Sequence, residues 1–368
     1  MNKSKKIIIS GGGTGGHVFP AISIANALKS KNPEIEILFV GADGKMEMEK
    51  VPSAGYKIIG LPVRGFQRKI TFKNISFFWK LYKSMCKAKK IIKEFKPDAV
   101  IGVGGFASGP VLKVASRKKI PTLIQEQNSY AGVTNKILGK RVDKICVAYE
   151  EMERFFPKDK IIVTGNPIRQ DFLEGINKKA EAFMHFDLQG NKKTLLIVGG
   201  SLGAKTINDS VFKGIEKLIE NRIQVIWQTG KQFYDIAKQE VARYNTKDIR
   251  VYEFITKMDL AYSIADVVVS RAGAITISEL SLIQKPAILV PSPNVAEDHQ
   301  TKNAMALIKN DAAMMVEDKE ARDFLIDQAL DLIKDEFRLT VFKENISKMG
   351  FKNSAEIIAD EIIKLIEK

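Results

Sequence analysis

Apolar residues arrive along this chain in short unbroken runs, each closed by glycine, proline or a polar turn. A longer stretch follows each run, with apolar positions recurring at helical spacing. KKIIIS, EILFVGA, DAVIGV, PTLIQEQ, KICVAY and KIIVTGNP are such runs in the first half, and TLLIVGG, IQVIWQTG, DVVVSRAG and PAILVPSP in the second. Runs that are continuous rather than alternating suit strands covered on both faces, and their alternation with helices predicts parallel sheets. The unit of strand, glycine-rich turn and helix occurs three times, in KKIIISGGGTGGHVFPAISIANALKS, DAVIGVGGFASGPVLKVASRKK and TLLIVGGSLGAKTINDSVFKGIEKL. In the first of these, Ile22, Ala25 and Leu28 make an apolar helical stripe.

There are too many strands for one compact sheet, and the third glycine turn opens a new series near residue 190. The expected fold class is therefore α/β, with two doubly wound parallel-sheet domains; 368 residues is ample for two cores. The turn-forming triplet Gly165, Asn166 and Pro167 marks the expected joint. Ligands are expected at the carboxyl ends of the strands, in a cleft between the domains. The final helix, SAEIIADEIIKLIEK, fits either domain.

Charge changes this picture in one place. The net charge of +15 is concentrated between Arg64 and Lys96, which hold 11 Lys or Arg against the single acid Glu94. Within that stretch the bases are interleaved with Ile75, Phe78, Trp79, Tyr82 and Met85. On a helix Ile75, Phe78, Tyr82 and Met85 would share one face, with Lys80, Lys83, Lys87 and Lys90 elsewhere. Such a segment suits an anionic membrane surface, and equally a helix packed on a core with a solvated basic face. Nucleic acid is not expected as a partner, because no recognition motif accompanies the charge. MNKSKKIII does not resemble a signal peptide, and Ala99 to Leu112, the longest uncharged stretch, is too short to span a bilayer. Cys86 and Cys146 have no disulfide or metal-ligand spacing and read as reduced thiols of a cytosolic protein.

The candidate chemistry lies in the turns. A glycine-rich turn entering a helix aims backbone N–H groups and the positive end of the helix dipole at an oxyanion, so three such turns suggest phosphate or pyrophosphate ligands. Gly13, Gly104 and Gly105 belong to the first two, and Ser201 adds a hydroxyl to the third. In SRAGAITISEL, Ala274, Ile275 and Thr276 open a further helix, and Glu279 offers a ribose diol the acceptor it needs. His17 stands at a helix entrance, where the dipole disfavours the protonated ring, as a general base for a sugar hydroxyl requires. A capping or merely exposed histidine is the alternative reading. Glu126, Gln127 and Asn128 follow a strand and read either as backbone anchors or as substrate ligands. There is no P-loop lysine motif, no H-E-x-x-H, no Cys/His metal spacing and no D-x-D after a strand, so neither metal nor cofactor is expected.

The ordered set GGTGGHVFPA, GVGGFASGP, EQNSYAGVTNK, GNPIR, GGSLGAKTIN, AYSIADVVVSRAGAITISE and DHQTKNA, running from residue 10 to about 303, resembles the MurG family of glycosyltransferases. The resemblance implies the GT-B fold, two Rossmann-like domains. The acceptor and membrane-facing domain would span 1–166 with about 350–368, and the donor domain 167–349. It also implies inverting transfer of N-acetylglucosamine from UDP-N-acetylglucosamine to the C4 hydroxyl of the muramyl sugar in lipid I. The product would be lipid II, at the cytoplasmic face of the bacterial inner membrane, with peripheral attachment.

Carried over residue by residue, His17 would be the base. Thr14, Gly15 and Gly16 would lie beside the donor sugar and the lipid diphosphate, and Asn128 would touch N-acetylglucosamine. Arg169, Ser201 and the helix opening at Ala274, Ile275 and Thr276 would serve the UDP phosphates. Ile255 would present backbone groups to uracil, Glu279 would hold the ribose, and Gln300 would contact the donor sugar. Ile75, Phe78, Trp79 and Tyr82 would face the membrane, with wall-synthesis or division proteins as further partners and cell shape and division as the setting. The chain departs from the family at Gln125, where many members have His, and at Phe106, where Tyr is common; Thr301 stands where some have Gln. Three competing readings remain: another GT-B transferase with a different lipid acceptor, a non-enzymatic lipid or nucleic-acid binder, and an NAD-dependent oxidoreductase. The last rests on Gly11, Gly13 and Gly16 as a G-x-G-x-x-G fingerprint, with Asp43 after the second strand.

Overall fold

The computed structural model describes residues 4–63, 73–168, 178–200 and 202–367, with backbone alone at 73–78 and 296. The chain forms two compact units, Met1–Arg169 with Lys352–Lys368, and Gln170–Phe351. In the first unit β1 (Lys6–Ser10), β2 (Glu36–Ala42), β3 (Lys57–Leu61), β4 (Ala99–Gly102), β5 (Thr122–Glu126), β6 (Lys144–Val147) and β7 (Ile161–Val163) make one parallel sheet. Its order is β3-β2-β1-β4-β5-β6-β7. In the second, β8 (Thr194–Val198), β9 (Gln224–Gln228), β10 (Ile249–Tyr252), β11 (Val267–Ser270), β12 (Ala287–Leu289) and β13 (Met314–Met315) make another parallel sheet, ordered β10-β9-β8-β11-β12-β13. Each order turns back beside its first strand, between β1 and β4 and between β8 and β11. That is the switch point where doubly wound sheets bind ligands.

Both sheets are buried on both faces, which explains the unbroken apolar runs. In the first unit Ile8, Val40, Val100 and Ile124 pack against α3 (Lys73–Phe95) and α4 (Ser108–Arg117). Ile7, Ile9, Phe39 and Ile101 pack on the other side, against α1 (Gly15–Lys31) and the last helix, Ser354–Glu367. The last helix buries Ala355, Ile358, Ala359 and Ile362 in that layer, and Lys31 reaches its Asp360 at 2.8 Å. In the second unit Trp227, wholly buried, anchors one layer, and its indole N–H donates to Asn208 Oδ1 at 3.1 Å.

Three strands lie outside the runs read from the sequence: β3, β10 and β13. All are sheet edges with part of their surface open, so the unbroken apolar signal of a central strand is missing.

The amino ends of the strands are closed by one repeated device. Asp98, Asp143 and Asp266, each just before a strand, accept from the backbone N–H of Lys6, Thr122 and Thr194 on the neighbouring strand, at 2.7 to 2.8 Å. Each aspartate's own N–H returns a bond to the carbonyl of that same residue. With the amino ends stapled, the carboxyl ends are left to the loops.

Candidate active site

In the first unit the turn after β1 and the turn after β4 meet. The two strand ends are in register, Ser10 beside Gly102. The Val103 N–H donates to the Ser10 carbonyl at 2.8 Å, and the Ser108 hydroxyl donates to the carbonyls of Ser10 and Gly104 at 2.7 and 2.8 Å. Thr14 is extended and α1 begins after it. The N–H groups of His17 and Val18 both reach the Thr14 carbonyl at 3.1 Å, so those of Gly15 and Gly16 have no acceptor within the helix. His17 is half-buried. Its Nδ1 lies 3.1 Å from Thr14 Oγ1, and its ring lies over Gly104, where an added Cβ would stand 2.7 Å from Cδ2 and 2.8 Å from Nε2. Gly104 is thus the seat of the imidazole, and its φ of +87° is itself one that favours glycine. Gly105 approaches the Gly12 carbonyl so closely that a Cβ there would be 2.2 Å from it.

Much of this turn is organised by a residue that sequence reading missed. Glu47, the first residue of α2 (Glu47–Ser53), is 1% exposed and accepts from the N–H of Gly13 and of Ala42, both at 2.9 Å. The Gly13 N–H, expected to face a phosphate, is therefore committed inside the fold. Nothing in KMEMEKVP separates Glu47 from Glu49, whose side chain is exposed.

Glu126, at the end of β5, is a second buried carboxylate. One oxygen accepts from the Asn128 N–H and Nδ2, both at 3.1 Å; the other accepts from the Gly132 N–H at 3.0 Å and Asn135 Nδ2 at 2.9 Å. Of the two readings open for Glu126, the backbone anchor describes these four bonds, and through them it fixes where Asn128 stands. Gln125 is wholly buried and donates to Asn166 Oδ1 at 2.9 Å, while Asn166 donates to the Gln127 carbonyl at 3.0 Å. The departure at Gln125 therefore falls in an internal amide network. Phe106 is exposed.

In the second unit the turn after β8 enters the helix Lys205–Lys213, and the turn after the neighbouring strand β11 enters the helix Ala274–Leu282 on the other face of the sheet; Val198 and Ser270 are in register. Gly203 packs against the Thr229 carbonyl, and a Cβ there would lie 2.0 Å from it. The first bond of the second helix runs from the Ile277 N–H to the Gly273 carbonyl at 3.0 Å, so the N–H groups of Ala274, Ile275 and Thr276 lack an acceptor within it. Glu279 is half-buried one turn further on, and Tyr262 Oη donates to it at 3.2 Å. Gln228, 1% exposed, joins two loops by donating to the Gly200 carbonyl at 2.9 Å and accepting from the Ile255 N–H at 2.8 Å. Of the two backbone groups expected to face uracil, the Ile255 N–H is thus already engaged. Gln300 holds the Ser292 N–H at 2.8 Å through Oε1. Arg169 and Ser201 lie outside the described residues.

The basic segment is helical from Lys73 to Phe95, but its face divides differently from the expected one. Ser84, Ala88, Ile91 and Ile92 are buried and Met85 packs partly on the core, whereas Tyr82 is 61% and Trp79 59% exposed. Tyr82 and Met85 are neighbours on the helix surface, but the core covers Met85 in part and leaves Tyr82 open. Trp79 and Tyr82 stack with centroids 6.0 Å apart, and Lys83 Nζ lies 5.3 Å from the Trp79 ring. The side chains of Ile75 and Phe78, and the residues from Arg64 to 72, lie outside the described set. No described helix is long and apolar enough to cross a membrane. Cys86 is exposed; Cys146 is buried, and burial pushes its thiol pKa well up, so it stays protonated and is no nucleophile.

Two doubly wound domains, each with glycine turns and open helix starts at its switch point, are the architecture of the GT-B fold. The model of the glycosyltransferase family 28 N-terminal domain matches residues 7–147, and that of the C-terminal domain matches 194–360. The chain is 56% identical to a protein of Parabacteroides distasonis and 57% identical to one of Phocaeicola vulgatus, over 99% and 100% of its length and 99% and 98% of theirs. Both are named UDP-N-acetylglucosamine--N-acetylmuramyl-(pentapeptide) pyrophosphoryl-undecaprenol N-acetylglucosamine transferase. The crystal structure of Acinetobacter baumannii MurG is similar with a TM-score of 0.79 and 28% identity, covering 98% of this chain and 99% of that one. The chain belongs to the MurG family of glycosyltransferases.

Proposed function

We propose that this enzyme transfers N-acetylglucosamine from UDP-N-acetylglucosamine to the C4 hydroxyl of the muramyl sugar of lipid I, giving lipid II and UDP. The observation that carries the assignment of roles is His17, hydrogen-bonded to Thr14 and seated on Gly104 at the switch point of the first unit. With Nδ1–H donated to Thr14 Oγ1, Nε2 keeps its lone pair and takes the proton of the C4 hydroxyl. The oxygen attacks the anomeric carbon of the donor from the face opposite the diphosphate. The new C–O bond forms as the bond to the β-phosphate oxygen breaks, inverting the anomeric configuration and giving a β-1,4 link.

The leaving diphosphate gathers negative charge. The N–H groups at Ala274, Ile275 and Thr276, with Arg169, Ser201 and the third glycine turn, are the donors proposed to meet it. Glu279 accepts from the ribose hydroxyls, the Ile255 carbonyl faces uracil, and Gln300 and Asn128 contact the transferred sugar. Gly15 and Gly16 offer N–H groups to the acceptor's diphosphate. The competing dinucleotide reading loses ground at Gly13, whose N–H serves Glu47.

The acceptor is lipid-linked, and the exposed pair Trp79 and Tyr82 among lysines supports peripheral attachment to the anionic cytoplasmic face of the inner membrane. Wall-synthesis or division proteins would be neighbours there. Labelled UDP-N-acetylglucosamine supplied with lipid I and with other lipid-linked sugars tests the reading. Label should pass to lipid I alone; transfer to a different acceptor, or to none, overturns it.

A further inference from the structure

The first glycine turn is built around a carboxylate, and the order of its glycines follows from that. A Cβ on Gly12 would stand 2.1 Å from Glu47 Oε1, and one on Gly41 would stand 2.6 Å from Glu47 Cγ. Glu47 is buried and held at both oxygens by backbone N–H groups, so it could not swing aside to make room. Gly12 and Gly13 have φ of +147° and +91°, which turns the Gly13 N–H inward onto Glu47 Oε2. A buried charge is costly unless hydrogen-bonded, and an apolar side chain would fill the same space without that cost. What a carboxylate adds is direction. It accepts only, so it draws one chosen loop N–H inward and leaves those of Gly15 and Gly16 outward, next to His17.

The geometry points to Glu47 as a positioning residue for the acceptor side of the reaction, acting through Gly13 on the loop that carries Thr14 and His17. This rests on the transferase reading above. Glu47 touches no reacting atom; it sets the path of the loop from Gly12 to Gly16. Glu47→Gln keeps the size of the side chain but places an NH2 where one of the two N–H donors now points. Glu47→Asp keeps the charge but falls one methylene short. The same defect is expected from both, because the position of the acceptor oxygens is what matters.

The test compares wild type, Glu47→Gln and Glu47→Asp in transfer from UDP-N-acetylglucosamine to lipid I. Amide hydrogen exchange over residues 11–18 and calorimetric titration with UDP-N-acetylglucosamine accompany it. For a folded variant the expected result is faster exchange in that segment and kcat/KM for the lipid acceptor lowered about ten-fold or more, the scale of one lost charge-assisted hydrogen bond, with donor affinity unchanged. Transfer and exchange equal to wild type in both variants overturn the proposal. So does a parallel loss of donor affinity and acceptor kinetics, or failure of both variants to fold, since either marks Glu47 as a residue of the fold alone. An inactive wild type would instead count against the transferase reading.

Discussion

The two units solve the same problem with different chemistry. In the first, buried carboxylates, Glu47 under the first glycine turn and Glu126 under the segment 128–135, hold the loops at the switch point together with the amides of Gln125, Gln127 and Asn166. In the second, the corresponding loops are held by neutral amides: Gln228 between Gly200 and Ile255, Asn208 between Thr229 and Trp227, and Gln300 under Ser292. A carboxylate accepts only, so it consumes loop N–H groups and leaves negative charge behind. An amide gives and takes one bond, leaving no charge. A neutral support leaves the positive ends of helices undiminished for a diphosphate. The difference bears on the proposed division of labour, with acceptor activation in the first unit and donor binding in the second.

Replacing His17 by Ala should break the first half of this division most severely. Loss of a general base lowers turnover roughly 10²–10⁴-fold, read as the initial rate of lipid product at saturating donor. Glu279→Ala probes the other half. It should raise KM for UDP-N-acetylglucosamine about ten- to a hundred-fold, the worth of hydrogen bonds to a charged acceptor, with a smaller change in acceptor KM. Gly104→Ala sharpens the comparison within the first unit. Its positive φ costs about 1–2 kcal/mol, visible as a lower unfolding midpoint, and its Cβ displaces the imidazole, so turnover falls while donor KM holds. The smallest effect is expected at the surface. Trp79→Ser with Tyr82→Ser should reduce flotation with anionic vesicles a few-fold and leave transfer to a detergent-dispersed acceptor intact; unchanged flotation would remove these side chains from the membrane contact.

What could be read from the sequence followed what was buried. Central strands covered on both faces announced themselves as unbroken apolar runs, and the glycine turns marked where loops sit. Three of the four edge strands, β3, β10 and β13, carry mixed faces and went unread; the fourth, β7, kept an apolar run, KIIV. Gly104, read as a phosphate-loop glycine, seats the His17 ring, while the places of His17, Glu279 and the helix start at Ala274 in the candidate site were legible because glycines and helix openings frame them. Glu47 was not, because its role comes from a tertiary approach to Gly12 and Gly41 that no local pattern encodes. Gln228 was hidden likewise: one amide at the end of an apolar strand gives no sign that it bridges two loops. The basic helix shows the converse failure. Helical spacing put Tyr82 and Met85 together, but the core takes the face of Ser84, Ala88 and Ile91 and leaves Tyr82 outside.

The division of labour is tested most directly by calorimetric titration of UDP-N-acetylglucosamine into wild type, His17→Ala and Glu279→Ala. The account predicts the same Kd for His17→Ala as for wild type and a weaker one for Glu279→Ala. A His17→Ala Kd weakened as much as that of Glu279→Ala, or a Glu279→Ala Kd equal to wild type, would contradict it.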